Sequence, residues 1–139
     1  MRVQFTVPGK PIGWQRTGHN KRTNAIYKQE KTRHHQEAVA WAYKKECGAY
    51  CFPSGTYLDM RVIAYLPIPK KTSEANREKM LNGSIRPIVK PDFDNIGKLI
   101  ADALNKIAYD DDKCIVDAQV RKFYSDNPRT VVIIQTATC

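Results

Sequence analysis

Two groups of aspartates flank one predicted helix, and carboxylates in such groups can bind a cation. Asp92 and Asp94 lie on either side of Phe93 just before the helix, and residues 110–112 are three consecutive aspartates beyond its far end. One carboxylate at a helix start would suffice for N-capping and for the helix dipole, together about 0.3–2 kcal/mol. The dipole disfavours anions at a C-terminus, so helix stability does not explain the second group. A solvated acidic turn is the alternative explanation, whereas the spacing of a calcium-binding loop is absent.

Lys98 follows Asp94 by four residues and therefore lies on the same face of the helix. An ion pair with Asp94 is one interpretation. Beside a metal-bound phosphate, the ammonium could instead stabilise negative charge on a departing oxygen.

The helix between the two acidic groups is predicted by an apolar period of three and four residues, carried by Ile96, Leu99, Ile100, Ala103, Leu104 and Ile107. A helix of about 15 residues would be about 22 Å long at 1.5 Å per residue. That length argues against a compact site within one subunit. A partner subunit, or a shorter helix with a folded-back loop, would have to bring the two groups together.

Hydrophobic periodicity and turn-forming residues predict the remaining helices and strands. Residues 8–24 are interpreted as a basic loop without strands, and the apolar strand 130–136 is expected to be buried on both faces. A helix is expected from about Thr32 to Gly48, with Ala38, Trp41, Ala42 and Lys45 at helical spacing, and another within 72–83. The other expected strands are 2–7, a short one at 25–28, 57–66 and 114–124.

Composition indicates one compact domain spanning residues 1–139. The chain has 42% hydrophobic residues and a net charge of +9. Ten of its Lys and Arg residues fall within 1–45, a concentration that favours a nucleic-acid partner over a solvated basic face. With no apolar run of about 20 residues and no signal-peptide pattern, a cytoplasmic protein with no membrane association is expected.

The four cysteines are expected to be ordinary reduced thiols. They are Cys47, Cys51, Cys114 and Cys139, and neither a CxxC pair nor a spaced His pair completes a zinc site.

The stretch KPDFDNIGKLIADALNKIAYDDDKCIVDAQVRK, residues 90–122, resembles the signature of the RusA family of Holliday junction resolvases. The opening PGKP followed by Arg16 is also similar to this family. The resemblance implies a single domain of α/β (α+β) class with a mixed β-sheet packed by helices. It also implies a homodimeric endonuclease that requires Mg²⁺, with Mn²⁺ as a substitute, and that cuts four-way DNA junctions. It implies catalytic and metal-binding roles for Asp92, Asp94 and Asp112, with Asp111 as the neighbouring alternative ligand. Lys98 matches the catalytic lysine.

Six cations are candidates for contacts with DNA phosphates: Lys10, Arg16, Lys21, Arg22, Arg121 and Lys122. Thr17 and Gly18 follow Arg16, where the family often has a second Arg. Three other functions compete: a non-catalytic DNA-binding protein, a metal-dependent nuclease for RNA or another branched DNA, and a small interaction module stabilised by calcium or zinc.

Overall fold

A computed structural model describes residues 1–16, 18–23, 25–27 and 30–138, and for 18–20 and 25–27 it describes the backbone alone. The strands are β1 (Arg2–Pro8), β2 (Gly18–Asn20), β3 (Ala25–Tyr27), β4 (Leu58–Pro67), β5 (Ile115–Ser125) and β6 (Arg129–Thr136). The helices are α1 (Glu30–Cys47), α2 (Glu74–Leu81) and α3 (Phe93–Ala103), with a short 3₁₀ helix at Asp112–Cys114.

Four strands form a mixed sheet in the order β1-β6-β4-β5. β4 and β5 run parallel, and the other two pairs are antiparallel. The prediction of an α+β fold with a mixed sheet is confirmed. β2 and β3 form a separate two-stranded sheet, so the expectation that residues 8–24 contain no strand is wrong. Of the predicted strand 25–28, residues 25–27 are confirmed and Lys28 lies outside the described residues.

The core lies between one face of the four-stranded sheet and the helices α1 and α3. Strand β4 contributes alternate residues to it, as its sequence predicts: Leu58, Met60, Val62, Ala64 and Leu66. β6 buries Thr130, Val132 and Ile134 on the same side. Its other residues are half-buried, apart from Thr136, which is exposed, so the prediction that β6 is buried on both faces is wrong.

Helix α1 occupies the predicted region but buries a different face. Its buried side chains are Thr32, Gln36, Val39, Ala42 and Tyr43. Trp41 is 62% exposed, with the Lys45 ammonium 5.1 Å from its ring centroid. The apolar spacing was therefore sufficient to locate the helix, while the contact with β1 and α3 decides which stripe is covered.

Helix α3 ends four residues earlier than its apolar period predicts. Leu104 caps it, and Lys106 takes a left-handed conformation with φ of 66° that reverses the chain. Buried Tyr109 then donates from its hydroxyl to the Ala101 carbonyl over 2.6 Å, which satisfies a carbonyl at the free end of the helix. Leu104 and Ile107 therefore belong to a folded-back loop.

Among the described residues, Cys47, Cys51 and Cys114 are free thiols. Cys139 lies outside the described residues.

Candidate active site

One face of α3 borders an open cleft beside β5. The residues of α3 that line it are Phe93, Asp94, Gly97, Lys98 and Ala101, at the spacing of one helical face. Asp112 lines the same cleft of about 400 Å³ from the far end of the folded-back loop. Residues from both acidic groups therefore meet in one place within a single subunit. The observed helix is shorter than the predicted one, because α3 has 11 residues and is about 16 Å long. Its length is therefore compatible with a site within one subunit.

Asn105 positions the second acidic group. Its side-chain carbonyl accepts a hydrogen bond from the Asp112 backbone N–H over 2.9 Å. The Lys106 N–H donates to the Tyr109 carbonyl over 2.8 Å, which closes the loop between the helix and the 3₁₀ turn. The conformation of this loop thus determines where the Asp112 carboxylate lies.

The three consecutive aspartates have three different environments. Asp110 forms an exposed ion pair with Lys106, with 2.7 Å between Oδ1 and Nζ. Asp111 caps the 3₁₀ helix by accepting from the Lys113 N–H over 3.3 Å, and it borders a different cleft from Asp112. Of the three, Asp112 is the residue that faces Asp94 and Lys98.

Asp92 occupies the N-cap position of α3, yet its carboxylate makes no capping hydrogen bond. It is exposed and lines a second open cleft together with Asp94 and Lys122. N-capping therefore does not account for this carboxylate, and within the described ranges its oxygen atoms are available to a cation.

Burial and two neighbouring carboxylates disfavour the charged form of Asp112. Burial raises its pKa, and the nearby carboxylates of Asp111 and Asp102 raise it further. The Lys98 ammonium opposes this rise. An excess of negative charge in a cleft is the condition under which a divalent cation binds favourably.

Lys98 does not form the ion pair with Asp94 that its spacing allows. None of the ion pairs between described residues includes it, and its Nζ lies 4.7 Å from the centroid of the Trp14 ring. The exposed ammonium is therefore available to a ligand in the cleft.

The donors present fit a hard divalent cation such as Mg²⁺, because Asp94 and Asp112 supply carboxylate oxygens to one cleft and Asp92 shares a second cleft with Asp94. Within the described part of the chain, no three His, Cys, Asp or Glu side chains form a group that could hold a metal ion. Mg²⁺ is usually bound by one or two carboxylates together with substrate phosphates and waters, which agrees with this arrangement.

The predicted DNA-contacting residues are distributed unevenly. Lys10 lines a cleft with Asp92, and Lys122 lines the cleft shared by Asp92 and Asp94. Arg16, Lys21 and Arg22 are exposed in or near the N-terminal hairpin. Arg121 pairs in register with Ile63 of β4 and packs on Phe123, on the sheet face away from α3. The structure does not bring Arg121 to the cleft.

Sequence reasoning missed three residues of the site: Trp14, Asp102 and Asn105. The asparagine was detectable, since Asn after a helical stretch is a common turn residue. Asp102 and Asn105 both lie in the stretch 90–122 that resembles the RusA family, although no role was assigned to either. Trp14 gave no local signal, because its relation to Lys98 depends on how α3 packs against the N-terminal segment.

The chain matches the model of the endodeoxyribonuclease RusA family over residues 8–135. It belongs to this family, and it is accordingly a nuclease of the hydrolase class with DNA as its substrate. Nucleases of the family generally depend on a divalent metal ion. The family assignment made from residues 90–122 is thus confirmed.

The chain is also similar to the uncharacterized protein YqaN of Bacillus subtilis (strain 168). The two are 34% identical over 137 residues, which cover 96% of this chain and 95% of YqaN. No helix in the described ranges is long and apolar enough to cross a membrane.

Proposed function

We propose that this protein is a Mg²⁺-dependent endonuclease that resolves four-way DNA junctions by paired symmetric nicks in recombination and repair. The single observation that carries the proposal is the convergence of Asp94, Asp112 and Lys98 on one cleft. The membership of the RusA family supports the same substrate class.

In this proposal, Asp94 and Asp112 would hold Mg²⁺ in the cleft that they share, for which Mn²⁺ can substitute, and Asp92 is the third candidate ligand from the second cleft that it shares with Asp94. When bound, the ion supplies Lewis acidity toward the phosphate and makes water a stronger nucleophile near neutral pH. Asp111 is the weaker candidate ligand, because its carboxylate already caps the 3₁₀ helix. Lys98 contributes a positive charge that stabilises the oxygen leaving from phosphorus.

DNA is held beside the cleft by phosphate contacts from Lys10, Arg16, Lys21, Arg22 and Lys122. The active form is a homodimer of single-domain subunits spanning residues 1–139, because two nicks in opposing strands require two sites related by a twofold axis. The protein acts in the cytoplasm.

The test compares a synthetic four-way junction with a linear duplex of matched sequence, each incubated with the wild type in Mg²⁺ or EDTA. Symmetric nicks in the junction alone, dependent on Mg²⁺, are expected. Asp92→Asn should abolish cleavage while junction binding survives. Asp126→Asn is the matched control, because it removes a surface carboxylate whose ion-pair partner, Arg77, is remote from the cleft.

Tight junction binding without cleavage by the wild type, in either Mg²⁺ or Mn²⁺, would contradict the proposal and favour a non-catalytic DNA-binding protein. If another branched DNA or an RNA is cleaved as fast as the four-way junction, the proposed substrate is wrong but the proposed nuclease activity stands.

A further inference from the structure

The N-terminal segment 10–15 is fixed against the first turns of α3. A Cβ atom on Gly13 would lie 2.9 Å from the Pro91 Cβ and 3.1 Å from the Asn95 Cβ, so the two backbones approach as closely as a glycine allows. The Trp14 N–H donates to the Asn95 carbonyl over 2.8 Å. The Gln15 N–H donates to the hydroxyl of buried Thr32 over 3.0 Å, which also anchors the segment to α1.

This anchoring places the Trp14 ring beside the candidate catalytic lysine. The Lys98 Nζ lies 4.7 Å from the ring centroid, within the distance of about 6 Å at which an ammonium is attracted to an indole face. A lysine has a flexible four-carbon stem, and the described ion pairs provide no carboxylate that would hold this one. Within the described part of the chain, the Trp14 ring is therefore the contact that restricts where the Lys98 ammonium lies.

We propose that Trp14 is a positioning residue that holds the Lys98 ammonium toward the phosphate being cleaved. This inference rests on the proposed function, because Lys98 acts on a phosphate only if the cleft is the nuclease site. The ring takes no part in binding the ion. It acts by limiting the positions of the ammonium before the transition state forms.

A purely structural role for Trp14 makes a different prediction, since the side chain is also half-buried against the core. Trp14→Leu keeps an apolar side chain of considerable size but removes the aromatic face. Trp14→Phe keeps an aromatic face in a smaller side chain. Positioning requires Phe to rescue activity and Leu to fail. Packing also favours the larger Phe, so the melting temperatures and the double-mutant cycle with Lys98 separate the two roles.

The first measurement is single-turnover junction cleavage with saturating protein, accompanied by steady-state kcat and KM. Trp14→Leu should lower kcat by about 2- to 30-fold, the equivalent of a cation–π contact of about 0.5–2 kcal/mol, with KM nearly unchanged. Trp14→Phe should retain most of the wild-type kcat. Equal rates for the Leu and Phe variants would overturn the proposal.

The second measurement is a double-mutant cycle with Lys98→Met. If Trp14 acts through Lys98, the Leu substitution has no further effect on kcat once the ammonium is gone. If the double variant instead loses kcat by the product of the two single-variant factors, Trp14 acts independently of Lys98 and the proposal is wrong. Melting temperatures of all variants separate a loss of folding from a loss of positioning.

Trp41 offers a matched control, because the Lys45 ammonium lies 5.1 Å from its ring on the exposed face of α1. Trp41→Leu should leave kcat unchanged.

Tryptophan fluorescence tests the contact directly. In a Trp41→Phe protein, Trp14 is the sole tryptophan, and its emission should change on Lys98→Met but not on Lys45→Met. If Lys98→Met leaves the Trp14 fluorescence unchanged, the Lys98 ammonium does not contact the ring. A wild type that cleaves nothing would instead overturn the proposed function, and the emission result would still decide whether the contact exists.

Discussion

At the scale of single residues, three consecutive aspartates have three different structural roles. Asp110 pairs with Lys106, Asp111 caps a 3₁₀ turn, and Asp112 faces Asp94 and Lys98. Their order in the sequence could not separate these roles, because each depends on how the folded-back loop and the 3₁₀ turn place the three side chains. The resemblance to the RusA family ranked Asp112 above Asp111, and the geometry of the cleft supports that ranking.

His35 on α1 predicts a pH dependence of stability. Its side chain is half-buried, and its Nε2 is buried without a hydrogen-bond partner among the described residues. Burial lowers the pKa of His35 below its ordinary value of 6.5. The unfolded chain therefore takes up this proton at higher pH than the folded protein does, so stability is full above 6.5 and falls as the pH drops toward the folded pKa.

Urea unfolding between pH 7.5 and 5 checks this prediction. For one proton the slope cannot exceed about 1.4 kcal/mol per pH unit. His35→Gln should flatten the slope, and His34→Gln is the control because His34 is exposed beside Glu30. A slope in the His35→Gln protein equal to that of the wild type would contradict the assignment.

At the scale of secondary-structure elements, the sequence predicts where α3 begins but not where it ends. Apolar residues continue at helical spacing through Ile107, and periodicity alone cannot distinguish a fourth turn from a loop that buries the same residues. The deciding contacts are tertiary, such as the bond from the Tyr109 hydroxyl to the Ala101 carbonyl. The candidate site depends on this difference, since a longer helix would have separated its two halves.

The folded-back loop predicts a specific effect of Asn105→Ala. Losing the acceptor for the Asp112 N–H should cost about 1 kcal/mol of stability and lower cleavage by about tenfold, because Asp112 is no longer held. Thermal unfolding and cleavage rates measure the two effects.

Asn82→Ala is the matched control for that change. The Asn82 side-chain carbonyl accepts from the Ser84 N–H over 2.8 Å in a turn after α2, away from the cleft. Asn82→Ala should lower the free energy of unfolding by a comparable amount without lowering the cleavage rate. A loss of cleavage in both variants, in proportion to their stability, would contradict a positioning role for Asn105.

At the scale of the whole molecule, a basic protein carries a local acidic cleft. The net charge of +9 attracts the DNA polyanion, while the carboxylates supply a place for the divalent ion. The two features were visible in the sequence as separate observations. Their spatial relation was not, because Lys10 and Lys122 reach the neighbourhood of Asp92 from opposite ends of the chain.

This arrangement predicts that the salt dependence of DNA binding is set mainly by cations beside the cleft. Lys10→Gln should weaken binding and lower the slope of log K against log salt by about 0.9, the value for one phosphate contact. Arg121→Gln should leave the slope unchanged, since Arg121 lies on the opposite face of the sheet. Titrations of a labelled junction without divalent ions provide the measurement, and an equal loss of slope in both variants would place DNA on both faces.

The measurement that tests the central claim most directly is the single-turnover cleavage rate of a four-way junction by Asp112→Asn compared with Asp111→Asn. The two substitutions remove the same charge from adjacent residues, only one of which lines the cleft with Asp94 and Lys98. Asp112→Asn should reduce the rate by about 100-fold or more, and Asp111→Asn by much less. Equal rates for the two variants, or a greater loss in Asp111→Asn, would contradict the assignment of this cleft as the active site.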